Sequence, residues 1–189
     1  MRNEAVHTED YKGHKIEIFQ DENPFNPIQD GDILGEWICW HKRYNLGNSK
    51  RFEKATPDEV KKYAKDTNSI LIPLYMYDHS GIGLSFSRDH YPFNCPWDSG
   101  QLGYVLMDRK KFLDNYNKKI FTKKLRQKAM EIAQAELDEY NQYLQGDVYG
   151  YEVEIEEGKE GCWGIYGLKN AIEEAKRDVD CYVKQKVVK

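Results

Sequence analysis

Hydrophobic and polar residues alternate along several short stretches of the chain, which is the pattern of strands with one buried face. Alternating stretches or short apolar runs lie at residues 14–19, 35–41, 69–77, 82–87, 102–107 and 149–155. We predict a strand at each of them, with the most apolar run, 69–77, as the central strand. Pro73 has no amide to donate and predicts a bulge or a locally unpaired edge within that strand.

A second pattern, with apolar residues three and four positions apart, predicts helices. Thr56-Pro57-Asp58-Glu59 is a capping box with proline at the first helical position, and it predicts a short helix to about Asp66. The longest predicted helix runs from Thr122 to about Leu144. A final helix is predicted to begin near Leu168.

The order of these elements predicts an α+β fold. Strands follow one another in runs, with helices inserted between the runs, so a mostly antiparallel sheet with helices packed on one face is expected. The length of 189 residues fits one domain. We predict a flexible N-terminal tail at residues 1–12 and a single domain at 13–189.

Composition and charge argue against several classes of function. The chain lacks a run of about 18 apolar residues and the apolar segment of a signal peptide, so a cytoplasmic protein without membrane contact is predicted. Its four cysteines form no Cys-x-x-Cys pair, and no glycine motif for phosphate binding is present. We therefore predict reduced thiols, no metal and no cofactor. A net charge of −4 gives no general attraction to nucleic acid, and the lysine-rich stretch 117–128 is predicted to be a solvated helix start.

Five glycine-aromatic motifs are the candidate chemistry of this chain. Each combines glycine, aromatic residues and a group that carries charge or accepts a proton, and they occupy residues 39–47, 77–81, 95–101, 146–150 and 162–167. They fall at the ends of predicted strands or in the turns that follow, where sites are commonly built. We therefore predict that they share a site.

The predicted catalytic residues are two acids and two histidines. Asp78 or Asp98 can orient His79 and stabilise its charged form, which makes it a general acid or base, and His41 is a second histidine. The alternative for each acid is capping of a tight turn. The alternative for His41 is a hydrogen-bonded residue at the edge of the core.

The predicted substrate-binding residues are Arg43, Tyr44, Gln101 and Tyr149. Arg43 can bind an anion in a forked geometry, and the tyrosines can stack on a base or donate protons. The tryptophans within the motifs are predicted to belong to the core or its wall; they are Trp40, Trp97 and Trp163.

Between about residues 14 and 167 the five motifs, in this order, resemble a family of small proteins encoded by phages, prophages and plasmids of Gram-positive bacteria. The resemblance is carried by CWHKRYNLG, YDHSG, CPWDSGQ, GDVYG and CWGIYG. It implies an accessory protein of a mobile element that counteracts host defence, for example an anti-CRISPR protein. Its partner would be a host nuclease effector or the guide RNA of that effector. Trp40 departs from the family, in which an aliphatic residue or phenylalanine is more usual.

Three functions are open at this stage. The acidic residues at 131–139 and 152–157 can imitate nucleic-acid phosphates toward a host effector, although a charge of −4 is small for that role. Alternatively, the motifs form a metal-independent nuclease or phosphodiesterase in which His79 is the acid or base and Arg43 neutralises a phosphate. These two merge if the host target is an RNA that is cut. The third is a structural phage protein without catalysis. The sequence predicts no oligomeric state.

Overall fold

The computed structural model describes residues 4–156 and 158–187, without the side chains of residues 186 and 187, and it is an α+β protein. Glu157, one of the predicted acidic residues, lies outside the described residues. The helices and strands are β1 His7–Tyr11, β2 His14–Gln20, β3 Glu36–Cys39, α1 Pro57–Thr67, β4 Ile70–Asp78, β5 Ile82–Ser85, β6 Ser99–Met107, α2 Arg109–Asn115, α3 Lys123–Gln145, β7 Val148–Ile155, β8 Gly158–Tyr166 and α4 Leu168–Val187. The predicted fold class is confirmed.

The chain divides into two compact units. Among the described residues, those up to 25 together with those from 145 onward form the terminal unit, and residues 26–144 form the middle unit. Each unit has its own four-stranded antiparallel sheet, in the order β1-β2-β7-β8 for the terminal unit and β3-β6-β4-β5 for the middle unit. The antiparallel pairing agrees with the prediction, whereas the strands form two sheets instead of one.

The terminal unit packs one helix on one face of its sheet. Ile16 and Ile18 of β2 and Val153 of β7 point toward α4, where they meet Ala171 and Ala175. These are the apolar positions of the alternating strands and of the amphipathic helix, and burial of such side chains is the main source of stability. The predicted strands at 14–19 and 149–155 and the predicted last helix are confirmed.

Residues 7–11 of the predicted N-terminal tail form β1 and pair with β2. Lys12 and Gly13 connect the two strands with φ of 51° and 79°. Two consecutive positive φ values make the tight turn whose twist matches a hairpin. The strand was missed because its side chains are mostly polar and its pairing uses backbone groups at a sheet edge.

On the other face of this sheet Glu17 is held by two lysines. Lys15 Nζ and Lys159 Nζ donate to its carboxylate at 2.8 and 2.9 Å. The hydrogen bond from Lys15, followed by that from Lys159, lowers the pKa of Glu17 from 4.5 to about 2. In the folded protein the ionised form is therefore favoured, and the stabilisation exists only while this carboxylate is charged.

We expect the contribution of Glu17 to stability to be complete above pH 4.5 and to be lost as the pH falls to about 2. Its size should be about 1 kcal/mol or less, because the pair is partly exposed and screened by solvent. Urea unfolding of wild type and Glu17→Gln at a series of pH values measures it. Glu22→Gln, at an exposed loop position, is the control. A difference between wild type and Glu17→Gln that stays constant from pH 6 to pH 2 would contradict this assignment.

The middle unit has helices on both faces of its sheet, in contrast to the single covered face that was predicted. Adjacent residues of β6 point to opposite sides of the sheet. Leu106 packs with Val60 of α1, whereas Val105 packs with Phe112 of α2 and Ala133 of α3. Both β4 and β6 lie inside the sheet. The prediction that 69–77 forms a central strand and the capping box at Thr56 are confirmed.

The irregularity predicted from Pro73 is present. β5 pairs only with residues 75–78 of β4, so Pro73 lies where β4 has no partner on that side. The register with β6 shifts between Leu74 and Tyr75, which leaves Leu102 as an extra residue in β6. A bulge of this kind bends the strand and turns its side chains locally. It lies next to the residues that line the cleft described below.

Glu136 of α3 holds the loop that leads into β3. Its Oε1 accepts from the amides of Leu34 at 2.8 Å and Gly35 at 3.2 Å, and its Oε2 accepts from Trp37 Nε1 at 3.4 Å. A Cβ added to Gly35 would lie 2.4 Å from the same carboxylate. Glu136 was predicted to belong to an acidic surface, and instead it satisfies donors of a loop packed on the core.

We expect Glu136→Ala to lower the free energy of unfolding by about 1–3 kcal/mol, because the part-buried donors would lose their acceptor. Glu136→Gln keeps one acceptor oxygen and should therefore lower the free energy of unfolding by less than Glu136→Ala does. Glu131→Ala, on the exposed side of the same helix, is the matched control and should change stability by under about 0.5 kcal/mol. Urea unfolding followed by tryptophan fluorescence measures all three. Equal stability of Glu136→Ala and Glu131→Ala would rule out this role.

Candidate functional site

Three of the five motifs meet at one end of the sheet in the middle unit. The motif at 39–47 follows β3, the motif at 77–81 makes the turn from β4 to β5, and the motif at 95–101 leads into β6. Antiparallel pairing of Tyr77 with Ser99 and of Cys39 with Gly103 brings these segments together. They border a cleft of about 360 Å³, lined by His41, Arg43, Met76, Asp78, Trp97, Asp98, Ser99, Gly100, Gln101 and Leu102.

The other two motifs, at 146–150 and 162–167, lie in the terminal unit and pair with each other through β7 and β8. A Cβ at Gly150 would lie 2.2 Å from the ring of Trp163, so only glycine allows this close approach. Trp163 also stacks on Phe19 at a centroid distance of 6.1 Å. Packing explains these glycines and aromatics. Tyr149 therefore belongs to a different unit from the other predicted site residues, and burial, followed by its hydrogen bond with Asp147, raises its pKa.

Asp78 binds Arg43 and Tyr44 and does not orient His79. Arg43 Nη2 donates to Asp78 Oδ2 at 2.9 Å, and the Tyr44 hydroxyl donates to the same oxygen at 3.2 Å. The Arg43 side chain is 71% exposed, and the rest of its guanidinium has no protein hydrogen-bond partner among the described residues. One edge of the guanidinium is thus fixed, and the other faces solvent.

Asp98 is the carboxylate that accompanies His79. Its Oδ2 lies 3.6 Å from His79 Nδ1, within ion-pair distance, and 4.0 Å from Cys95 Sγ. The amide of Asp78 donates to the carbonyl of Asp98 at 2.9 Å, which holds the two segments together. His79 does not line the cleft itself, and it is joined to the cleft by Asp98. Its side chain is 62% exposed, and no described residue forms a hydrogen bond with its Nε2.

The turn that carries His79 is formed by Ser80 and Gly81, both with positive φ, of 60° and 154°. The carbonyl of Gly81 accepts from the amide of His79 at 3.3 Å. No backbone amide in the described part of the chain donates to the carboxylates of Asp78 or Asp98. The turn-capping alternative for these two acids is therefore not what the structure shows.

His41 is a hydrogen-bonded residue, which was the alternative to a catalytic role for this side chain. Its Nδ1 accepts from the amides of Arg43 and Tyr44, both at 3.3 Å, and its ring stacks on Tyr44 at 4.9 Å. Because Nδ1 is an acceptor, the neutral ring carries its proton on Nε2. His41 thus fixes the turn at 41–44 and retains one N–H that can donate.

Trp97 was predicted to belong to the core or its wall, but it is 90% exposed at the cleft. It lies in a loop between Pro96 and the start of β6, and such loops rarely bury their side chains. Tyr91, 74% exposed, lies nearby against Tyr77 at 6.4 Å. Burial, followed by the hydrogen bond that its hydroxyl makes with Tyr91, raises the pKa of Tyr77. Pro96, next to Trp97 in the sequence, is a signal of a loop that the prediction for Trp97 did not take into account.

Gln101 is exposed and lines the cleft, with its Nε2 donating to the carbonyl of Gly103 at 3.3 Å. It precedes the bulged residue Leu102, so the bulge determines which face Gln101 occupies. Of the eight predicted site residues, five line the cleft, while Tyr44 and His79 contact its carboxylates. The site therefore combines two carboxylates, two imidazoles and one guanidinium with an exposed indole, groups suited to moving protons and to binding an anion.

Among the residues that the structure describes, no group of three or more histidine, cysteine, aspartate or glutamate side chains is arranged to hold a metal ion. Cys39 Sγ donates to the carbonyl of Tyr44 at 3.8 Å. None of the helices in the described ranges is both long and apolar enough to cross a membrane.

Comparisons with family models, curated proteins and solved structures found no match for this chain.

Proposed function

We propose that the cleft of the middle unit cleaves phosphodiester bonds of single-stranded RNA without a metal ion. The observation that carries the proposal is the Asp98–His79 pair, 3.6 Å apart, beside a cleft that also presents Arg43 and the exposed Trp97. An imidazole oriented by a carboxylate is a common general base near neutral pH.

The chemical step uses the 2′-hydroxyl of the RNA as its nucleophile. With Nδ1 turned to Asp98, His79 uses Nε2 to take the proton of the 2′-hydroxyl while the 2′-oxygen forms a bond to phosphorus. The bond from phosphorus to the 5′-oxygen breaks, and that oxygen takes a proton from water. Two groups stabilise the negative charge that develops on the phosphate: the exposed edge of Arg43 and the Nε2–H of His41.

Recognition of a single strand rests on Trp97. An indole that is 90% exposed offers both faces for stacking of an unpaired base, a contact that tolerates any base. Asp78 and Tyr44 keep Arg43 in place, so they position the phosphate-binding group and take no part in proton transfer. Gln101 is a further donor and acceptor for a base edge.

The resemblance to phage, prophage and plasmid proteins suggests the biological target. In that setting the RNA is the guide RNA of a host defence effector, and its cleavage in the host cytoplasm counteracts defence. The alternative, in which acidic surface residues imitate nucleic-acid phosphates, has less support because several of these acids already have partners within the protein. Glu136 holds a loop, Glu131 and Asp138 accept from glutamines of their own helix, and Glu152 pairs with Lys159.

A second candidate is binding of a host defence protein without catalysis. The exposure of Trp97 favours it, because exposed tryptophans often become the anchors of protein interfaces. Trp97→Ala should weaken both RNA cleavage and partner binding, whereas Asp98→Asn should slow cleavage by about 10²-fold and spare partner binding. The two candidates can therefore be separated by one pair of variants.

The experiment uses a 5′-labelled single-stranded RNA incubated with the full-length protein in EDTA and resolved on a gel. Wild type should cleave the RNA, and Asp98→Asn should be slower by about 10²-fold because His79 loses its orienting charge. Asp89→Asn is the matched control, since Asp89 is an exposed acid of the same unit that accepts from Ser87. Equal rates for wild type and Asp98→Asn would refute the proposal.

A further inference from the structure

A second concave surface lies in the middle unit between the end of α2 and the start of α3. It has a volume of about 810 Å³, which is in the range of concave ligand sites. We call it the lysine groove; the residues of its lining that matter here are Lys118, Lys119, Lys124, Lys128, Ile120 and Leu125.

The charge of the lysine groove is not neutralised by the residues that the structure describes. None of its four lysines forms an ion pair with any described residue, and all four line the same concave surface. The one acid in the lining is Glu131, whose carboxylate accepts from Gln127 at 3.3 Å. Four positive charges therefore face one negative charge, and the groove is complementary to an anionic partner.

The loop that forms the groove is fixed by its neighbours. The amide of Lys118 donates to the carbonyl of Leu113 at 2.9 Å, and Phe121 is buried against Phe112 at 5.5 Å. Between these two anchors Ile120 is 71% exposed. An aliphatic side chain held in solvent by an ordered loop gains free energy when a partner covers it, and little ordering is required.

We propose that the lysine groove docks an acidic amphipathic segment of a partner protein. The apolar side chains of that segment cover Ile120 and Leu125, and its carboxylates pair with the lysines. A nucleic-acid backbone would pair with the lysines as well, but it offers little to the aliphatic residues, so the groove favours a peptide. This surface is independent of the proposed RNA cleavage.

The groove and the cleft are separated by the length of β6. That strand begins at Ser99 in the cleft and ends at Met107, just before α2, and a strand of this length spans roughly 27 Å at about 3.3 Å per residue. A peptide in the lysine groove therefore leaves the cleft open. Peptide binding is expected to leave the rate of RNA cleavage unchanged.

The test is fluorescence anisotropy with a labelled amphipathic helical peptide of leucine and glutamate. Wild type should bind it saturably. Lys118→Glu/Lys119→Glu should weaken binding by about tenfold or more, and Ile120→Ser should do so by a similar factor because the apolar contact is lost. Lys50→Glu/Lys54→Glu makes the same charge change at exposed positions outside the groove and should stay within about twofold of wild type.

A parallel titration with labelled oligodeoxyuridine, which has no 2′-hydroxyl and is not cut in the cleft, separates the two kinds of anion. An affinity for this strand that Lys118→Glu/Lys119→Glu leaves within about twofold of wild type, together with the loss of peptide binding in Ile120→Ser, supports the proposal. Tighter binding of the strand than of the peptide, weakened about tenfold by Lys118→Glu/Lys119→Glu and unchanged in Ile120→Ser, would assign the groove to nucleic acid and overturn it. Absence of saturable peptide binding up to about 1 mM, or an equal loss in the control variant, would also overturn it.

Discussion

His79→Ala is expected to cleave single-stranded RNA about 10²–10⁴ times more slowly than wild type, the range for loss of a general base. The structural cost should be small, because the side chain is 62% exposed and lies in a turn whose backbone is fixed by Ser80 and Gly81. The measurement is the single-turnover rate on a labelled RNA in EDTA.

The matched control for this variant is His90→Ala. His90 is an exposed histidine of the same unit that packs on Phe93 at 5.4 Å and has no part in the proposed chemistry. Added imidazole should restore part of the activity of His79→Ala, which loss of a purely structural side chain would not allow. A rate for His79→Ala within about threefold of wild type would exclude His79 as the base, since even a modest base contributes more.

Gly103→Ala is expected to prevent stable folding of the middle unit, at a cost above about 4 kcal/mol. An added Cβ would lie 1.8 Å from the carbonyl oxygen of Ile38, which belongs to the paired strand β3 and cannot move aside alone. Because β3 leads into the motif at 39–47, separation of β3 from β6 would also dismantle the cleft. Both the unfolding transition and RNA cleavage should therefore be lost.

Gly100→Ala is the control for backbone crowding in the same strand. A Cβ at Gly100 meets no atom within 4 Å, and the residue has no positive φ. Its unfolding midpoint in urea should match that of wild type. A folded Gly103→Ala variant with wild-type stability would show that β3 and β6 are not packed as described.

Most of the fold follows from local pattern. The strands and helices with a clear apolar face, such as β2 and α3, were predicted within a few residues, because one side of each is buried in a core. β1 and β8 were missed because their side chains are largely polar or exposed, and α2 was missed because it is short. The division into two sheets depends on which strands pair, and strand pairing is non-local.

The sequence predicted which residues line the candidate site better than it predicted which of them contact each other. Motifs at strand ends did bring His41, Arg43, Asp78, Asp98 and Gln101 around one cleft. The partners were not predictable, since the register of β4 and β6 and the bulge at 102 decide which acid faces which base. Tyr149 was grouped with these residues because its motif has a similar composition, whereas that composition serves packing between β7 and β8.

The most direct test of the central claim is identification of the RNA ends produced by the wild-type protein in EDTA. Attack by the 2′-hydroxyl predicts fragments that end in a 2′,3′-cyclic phosphate, with matching fragments that begin with a 5′-hydroxyl, and mass spectrometry distinguishes both. An oligonucleotide with 2′-deoxyribose throughout should remain uncut. RNA that stays intact in the presence of folded protein, or DNA that is cut equally well, would contradict the account.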